Sequence, residues 1–323
     1  MTRPVPLLIV GLLIALPLSL LAGRVWINPL DPQTTNAAII LLQLRLPRAA
    51  LALAVGAGLG GAGAAMQGYL RNPLADPGLF GIAPGAALGA VLSLWLGAAS
   101  VWALPMFALI GAGGAMALLA LIAGQGRGSD GGVASFTLAG MMIASLAGAL
   151  MSLAISLSPT PFALSEIVTW LMGALADRSW RDVWIAAPPT LAGLALFASA
   201  GRSLDALTLG ETAARSLGVD PRRLQGTMIA ATGLTVGAGV AAAGIIGFVG
   251  LIVPHLMRPF TDRRPSSLLL PSALAGALLL LIADCLCRLL PLKGGELRLG
   301  IALSLIGAPF FLHLLLRMRR GLV

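Results

Sequence analysis

Apolar residues in this chain come in runs, not stripes. They occupy positions 5–23, 47–70, 79–99, 102–123, 133–157, 184–200, 226–245, 246–257, 267–290 and 297–316. Most approach the roughly 20 residues that a helix needs to cross a bilayer, and none alternates apolar with polar positions as a barrel strand does. The pattern predicts an all-α polytopic membrane protein with about ten transmembrane helices. The seventh and eighth runs are together too short for two full spans. They read either as one long span or as a short helix pair that turns inside the membrane around Gly244 to Gly250. Pro4 to Leu21 lacks a convincing small-residue cleavage site and is followed by further spans, so it reads as a first span and not a cleaved leader.

A polar interruption separates the second and third runs: Arg71-Asn72-Pro73-Leu74-Ala75-Asp76-Pro77-Gly78. Non-helical backbone at membrane depth is tolerated only when protein buries it or when it lines a wet cavity. The turn is therefore a candidate lining element of a pathway, and the chain reads as a transporter core.

Composition agrees. Of 323 residues, 58% are hydrophobic and 10% charged, where a soluble domain carries about 25% charge. The 41 glycines point to close helix packing, and small residues four apart, such as Gly56 and Gly60 or Gly85 and Gly89, let backbones approach. For any single pair, simple abundance of Gly in membrane helices explains the spacing equally well. Cys285 and Cys287 are too few for a disulfide framework and have no evident companions for a metal site.

Lys and Arg set the orientation, because cytoplasmic loops carry the excess. With the N-terminus inside and the short pair counted as two spans, the cytoplasmic side receives Arg3, Arg71, Arg127, Arg202, Arg215, Arg222, Arg223, Arg258, Arg263, Arg264, Arg317, Arg319 and Arg320. The outer side receives Arg24, Arg45, Arg48, Arg178, Arg181, Arg288, Lys293 and Arg298. The balance of 13 against 8 favours both termini inside. It leaves the outer cations unexplained. A similarity of 55–63 to 236–244, with Pro73 and Pro254 at the same offset, hints at an internal repeat.

The longest polar stretch, Gly201 to Gln225, reads as two short cytoplasmic helices. Thr208-Leu209-Gly210-Glu211 has capping-box spacing, a helix follows over Thr212 to Leu217, and Gly218 suits the left-handed position after it. Asp220-Pro221 then starts a second helix, with Asp as N-cap and Pro in the first turn. Such a projection is either a well-ordered connector or a docking element for a cytoplasmic partner.

Energy-transducing chemistry is missing from the sequence. There is no phosphate-binding Gly-rich loop ending in Lys-Ser or Lys-Thr, and the only Lys is Lys293. A proton-driven carrier shows acids or His along its path. Here Asp284 faces Arg288 four residues on, a stabilising helical pair. Glu166, Asp177 and Asp182 lie in loop-like or amphipathic sequence, and His255 and His313 lie near helix ends. No nucleophile and base are suitably spaced for an intramembrane enzyme. The driving energy is expected from another subunit, with an ion-gradient-driven secondary transporter as the alternative. On the outer face, Arg45-Leu46-Pro47-Arg48 and Arg288 suit bidentate pairing with a carboxylate partner. Snorkelling to lipid headgroups suits them equally well.

Several motifs together resemble the FecCD family of permease subunits of binding-protein-dependent ABC importers. They are Arg45-Leu46-Pro47-Arg48, Gln67 with the Arg71–Gly78 turn, Trp170-Leu171-Met172-Gly173, Leu207 to Gly218, Gly247 to His255, and Gly307-Ala308-Pro309-Phe310-Phe311. The resemblance implies a single permease domain over 1–323, ten spans, and pairing of two copies around a shared substrate path. It places the chain in a bacterial inner membrane, with cytoplasmic coupling helices at about 206–225 that engage two ATPase subunits. Leu209, Gly210, Glu211, Ala214, Arg215, Leu217 and Gly218 fall in that element. Arg45, Arg48 and Arg288 match residues that meet acidic groups of a periplasmic or lipid-anchored substrate-binding protein. Asn72 and Leu74 match a cytoplasmic constriction, and the fifth span lines the path. Cargo in the family is an iron–siderophore, haem, vitamin B12 or a related metal chelate, with iron–siderophore or haem expected from family frequency. No cofactor or metal belongs to the chain itself, since ATP and Mg sit in the partner ATPase. The remaining partner is membrane lipid, with no nucleic acid. Arg298 departs from the family pattern, which commonly has Pro there.

Overall fold

The computed structural model describes residues 4–23, 37–98, 100–124, 132–290 and 295–320. Among them every regular element is a helix. In chain order these are α1 (Pro4–Leu21), α2 (Ala37–Tyr69), α3 (Ile82–Trp95), α4 (Ala103–Gly124), α5 (Gly132–Ser156), α6 (Pro161–Leu171) and α7 (Trp180–Ser199). The remainder are α8 (Gly201–Leu207), α9 (Glu211–Ser216), α10 (Pro221–Ala243), α11 (Val249–Met257), α12 (Pro265–Leu289) and α13 (Leu299–Arg320). Eight of the described helices are long and apolar enough to cross a membrane. The third and eighth apolar runs form the shorter α3, with 14 residues, and α11, with 9. Of the cations used for orientation, Arg3, Arg24, Arg127 and Lys293 lie outside the described residues.

The ambiguous pair of runs resolves into a break, but an asymmetric one. The seventh run continues the helix that starts at Pro221, through a π segment at Gly233–Gly237, so α10 spans 23 residues. The chain then leaves the helix at Gly244 (φ 74°, ψ −165°) and restarts after Phe248 (φ 66°). The buried end of α10 is bonded by a neighbouring segment: Ala174 N–H donates to the Ala243 carbonyl at 2.9 Å, and Gly300 N–H in turn donates to the Gly173 carbonyl at 3.2 Å. That is the shielding irregular backbone needs in lipid.

α2 is the axis of the packing and lies most extensively against α12. The glycines of α2 make this contact possible. A Cβ at Gly56 would collide with the carbonyl of Gly276, one at Gly60 with that of Ser272, and one at Gly63 with that of Gly250. Gly85 and Gly89 play the same part where α3 meets Gly111 and Phe107 of α4. Both small-residue pairs read from the sequence are thus helix-crossing points. At its start α2 widens into a π-turn over Ile40–Arg45, directly before Pro47, whose missing N–H cannot continue the regular bonding.

Two local expectations need correction. Thr208 and Glu211 form no capping box: the Thr208 hydroxyl donates back to the Asp205 carbonyl at 2.7 Å, and Gly210 (φ 100°) begins α9. A Ser-x-x-Asp version of the box does form at the start of α7, where Ser179 N–H donates to Asp182 Oδ2 at 2.8 Å. The suggested repeat also fails, because Pro73 lies in a non-helical turn and Pro254 inside α11. α6 went unread among the spans, although Thr160-Pro161 starts it as Asp220-Pro221 starts α10. Thr160 Oγ1 accepts from Ala163 N–H at 3.1 Å.

Gly276→Leu is expected to lower the apparent melting temperature sharply, because the added side chain meets the backbone of α2; overpacking costs about 1–3 kcal/mol or more. Gly113→Leu on α4, where an added Cβ meets open space, should melt like the parent. Equal melting of the two variants in a thermal scan would contradict the backbone contact.

Candidate functional site

Three groups of residues stand out. The first gathers the ends of α1 and α12 with the starts of α2 and α13. A helix leaves its last four carbonyls without partners. At the end of α1, arginines from two other helices supply the donors. Arg45 Nη1 donates to the carbonyls of Leu20 and Leu21, both at 2.8 Å. Arg288 Nη1 donates to those of Ser19 at 3.2 Å and Ala22 at 3.4 Å, and its Nη2 donates to Ser19 Oγ at 2.7 Å. Cations also suit the negative end of a helix dipole.

Between them lies Asp284, buried and shared. Arg48 Nε donates to both of its oxygens at 3.0 Å and Arg48 Nη2 to Oδ1 at 2.8 Å. Arg288 Nε stands 3.2 Å from Oδ2, the pair expected from their spacing of four. Arg48 Nη2 also donates to Glu296 Oε2 at 2.7 Å. Arg45, Arg48 and Arg288 are therefore brought together as expected, but each is already engaged within the chain. The roles of Asp284 as a hub and of Glu296 were missed. Distant pairings of this kind (Glu296 lies 248 residues from Arg48) leave no local signature. Arg298 lines the same cleft as Arg48, Asp284 and Glu296. Burial pushes the nearby Arg178 guanidinium below its ordinary range, partly offset by Asp182 and Asp177 and reinforced by Arg181 and Arg298.

The second group is the Arg71–Gly78 turn with its surroundings. Asn72 Oδ1 accepts from Leu74 N–H at 2.9 Å, and Asp76 Oδ1 accepts from Gly78 N–H at 2.7 Å, so short side chains replace helical bonds. Leu74 and Asp76 face a cavity of about 420 Å³, otherwise walled by apolar groups including Met151, Phe248 and Phe311. Asn72 shapes the turn and does not itself line the cavity.

Behind this cavity, Gln67 performs a repair. Pro254 has no N–H, so the Gly250 carbonyl four residues earlier loses its helical donor. Gln67 Nε2 approaches that carbonyl at 3.4 Å and the Leu251 carbonyl at 3.3 Å, while Gln67 Oε1 accepts from Arg258 Nη2 at 2.8 Å. The short helix α11 is thereby pinned to α2. His255, on α11, packs edge-on against Phe310 with ring centroids 5.8 Å apart.

The third group is the corner built by α8, α9 and the start of α10. α9 ends as its sequence predicts: Gly218 takes φ 85°, its N–H donates to Arg215, and Val219 N–H donates to Ala214 at 3.0 Å. This is the double bond of a Schellman motif. Asp220 Oδ1 accepts from Arg222 N–H at 2.9 Å to open α10. Ala214 is buried, whereas Leu209 and Leu217 leave 68% and 65% of their surface exposed at the two ends of α9. Among the described residues no three His, Cys, Asp or Glu side chains cluster as a metal site would require.

Asp284→Asn strands two guanidiniums that share one carboxylate. The loss expected for breaking a buried pair is about 3–5 kcal/mol, seen as a marked fall in apparent melting temperature. Parent-like stability would show that Asp284 is not the hub of this end.

Comparison with known proteins identifies the family. Residues 10–317 match the FecCD transport family. The chain is 40% identical over 316 residues to the vitamin B12 import system permease protein BtuC of Escherichia coli O9:H4 strain HS, covering 96% of this chain and 93% of that protein. It is 39% identical, with the same coverage, to BtuC of Shigella flexneri. Among solved structures it superposes with a TM-score of 0.86 and 34% identity, over 96% of this chain and 97% of the other, on a protein described as a metal-chelate type ABC transporter in an inward-facing conformation. The sealed helix breaks, the helical architecture and this end-to-end likeness lead to one conclusion: the chain is a multi-pass membrane permease belonging to the FecCD transport family.

Proposed function

We propose that this chain is the membrane-spanning subunit of an ABC importer for a bulky metal chelate, with a corrinoid of the vitamin B12 type first in line. Iron–siderophore or haem is second. The observation that carries the reading is the likeness to vitamin B12 permeases over 96% of the chain. The chain has no nucleotide-binding loop of its own, so ATP hydrolysis belongs to a partner subunit. Two copies would enclose the path. The stripe Leu138, Met142, Leu146, Leu150 and Leu153 leaves α5 exposed along its length in one copy, and Met151 of the same helix reaches the cavity. The cavity wall is apolar and carries few hydrogen-bonding groups, which suits passage more than retention.

In this reading, the Arg48 end is the outer face and meets the acidic substrate-binding protein. The α9 end is cytoplasmic, and α9 enters a groove of the ATPase with Leu209 and Leu217 as its apolar anchors. The two Gly-terminated ends make α9 a rigid lever. Nucleotide-driven movement of that lever would shift the permease between two packings, with Leu74 at the constriction.

Escherichia coli lacking its own vitamin B12 permease and expressing this chain is expected to regain uptake of radiolabelled cyanocobalamin. Uptake of an iron–siderophore instead would transfer the cargo to the second class. Import that survives ATP depletion and collapses with an ionophore would overturn the ABC mechanism in favour of a secondary carrier. Leu209→Ala with Leu217→Ala should reduce ATP-driven uptake about tenfold, as loss of apolar anchors does, with no change in melting temperature because both side chains are exposed. Full uptake by the double variant would remove α9 from the coupling role.

A further inference from the structure

We propose that Glu296 is an internal stand-in for the docking partner: it occupies Arg48 in the free permease and is displaced by a carboxylate of the binding protein. The inference deepens the docking reading above and rests on it. Its basis is that the three arginines of the outer end have different commitments. Arg45 and Arg288 hold backbone carbonyls at the end of α1. Withdrawing either uncovers helix-terminal acceptors that its guanidinium now satisfies. Arg48 is held by two carboxylates, and they are unequal. The Asp284 side chain is 1% exposed, that of Glu296 28%.

Asp284 cannot leave without stranding buried charge. Glu296 can. A partly solvated carboxylate on a guanidinium contributes little net stability, because it exchanges one good environment for another. Replacing it with a second carboxylate at the same nitrogen is close to an even exchange. The exchange keeps the Asp284 contacts on Nε and Nη2, so Arg48 stays aimed while its outer ligand changes. Aiming matters because a guanidinium already fixed in its bound rotamer loses less freedom on association. The displaced carboxylate also has somewhere to go. Arg298, two residues further on, lines the same cleft. The extra cation at position 298 thus fits a landing site for Glu296. Glu296 itself lies in the non-helical residues 295–298 that lead into α13, where side chains can turn without disturbing a helix.

The scheme sets Glu296 apart from a simple structural ion pair. A structural residue weakens docking when removed. A competitor strengthens it. The test uses the full permease assembled with its ATPase subunits in nanodiscs. The probe is the permease's substrate-binding protein, produced in soluble form, and its dissociation constant is read by biolayer interferometry. Glu296→Gln is expected to tighten binding about fivefold at low ionic strength, the scale of one exposed ion pair, and the gain should shrink in high salt. Glu296→Ala should act in the same direction. In an Arg48→Gln background, which itself weakens binding, Glu296→Gln should have no effect. Unchanged or weaker binding by both Glu296 variants, with Arg48→Gln still impaired, overturns the competition and leaves docking in place. Parent-like binding by Arg48→Gln overturns the docking reading itself.

Discussion

Backbone that leaves a helix inside lipid must be bonded by protein, because no water is there to serve it. This chain breaks off a long apolar helix at two irregular turns, after Tyr69 and after Ala243. Each break is closed by a different device. The first uses its own short side chains, Asn72 and Asp76, on backbone N–H groups two residues on. The second uses a neighbouring segment, with Ala174 donating to the last carbonyl of α10. A third gap, opened by Pro254 in α11, is filled by the amide of Gln67. The segments that meet to close these gaps also wall the apolar cavity, from Leu74 and Asp76 on one side to Phe248 and Gly250 on the other. Asp76 and Gly250 belong to both sets: each takes part in closing a gap and each faces the cavity.

The same economy governs the end of α1. A helix terminus on the periphery of the bundle has four carbonyls to satisfy, and Arg45 and Arg288 take them from α2 and α12. Asp284 then balances the positive charge gathered there, and it serves Arg48 and Arg288 together. Of the cations that orientation alone left unexplained, Arg45 and Arg288 are accounted for by helix capping and Arg48 by its two carboxylates.

Much of this was legible in the sequence, and the reasons are physical. Long apolar runs are read directly because bilayer thickness fixes helix length. The Asp284–Arg288 pair, the Gly218 stop and the Asp220-Pro221 start depend on residues within a few positions of each other, and all three appear as expected. The capping box at Thr208 depended on local spacing too, and failed because Thr208 still closes α8, its hydroxyl bonded back to Asp205, while Gly210 is the residue that opens α9. What sequence spacing could not supply were the meetings between distant segments. Glu296 with Arg48, Gln67 with Gly250, and Ala174 with Ala243 are set by tertiary packing. The break at Gly244 lay between: glycines announced a turn, but hydropathy could not show that the preceding helix would remain long.

The glycine crossings of α2 carry one further consequence. At Gly56, Gly60 and Gly63 its backbone lies directly on the backbones of α12 and α11. Nothing compressible separates them, so one cannot slide past another without lifting a carbonyl over a Cα. The three helices behave as a single keel. Any rearrangement of the bundle has to run around that block, along boundaries made of pliant side chains, such as the leucine and methionine edge of α5.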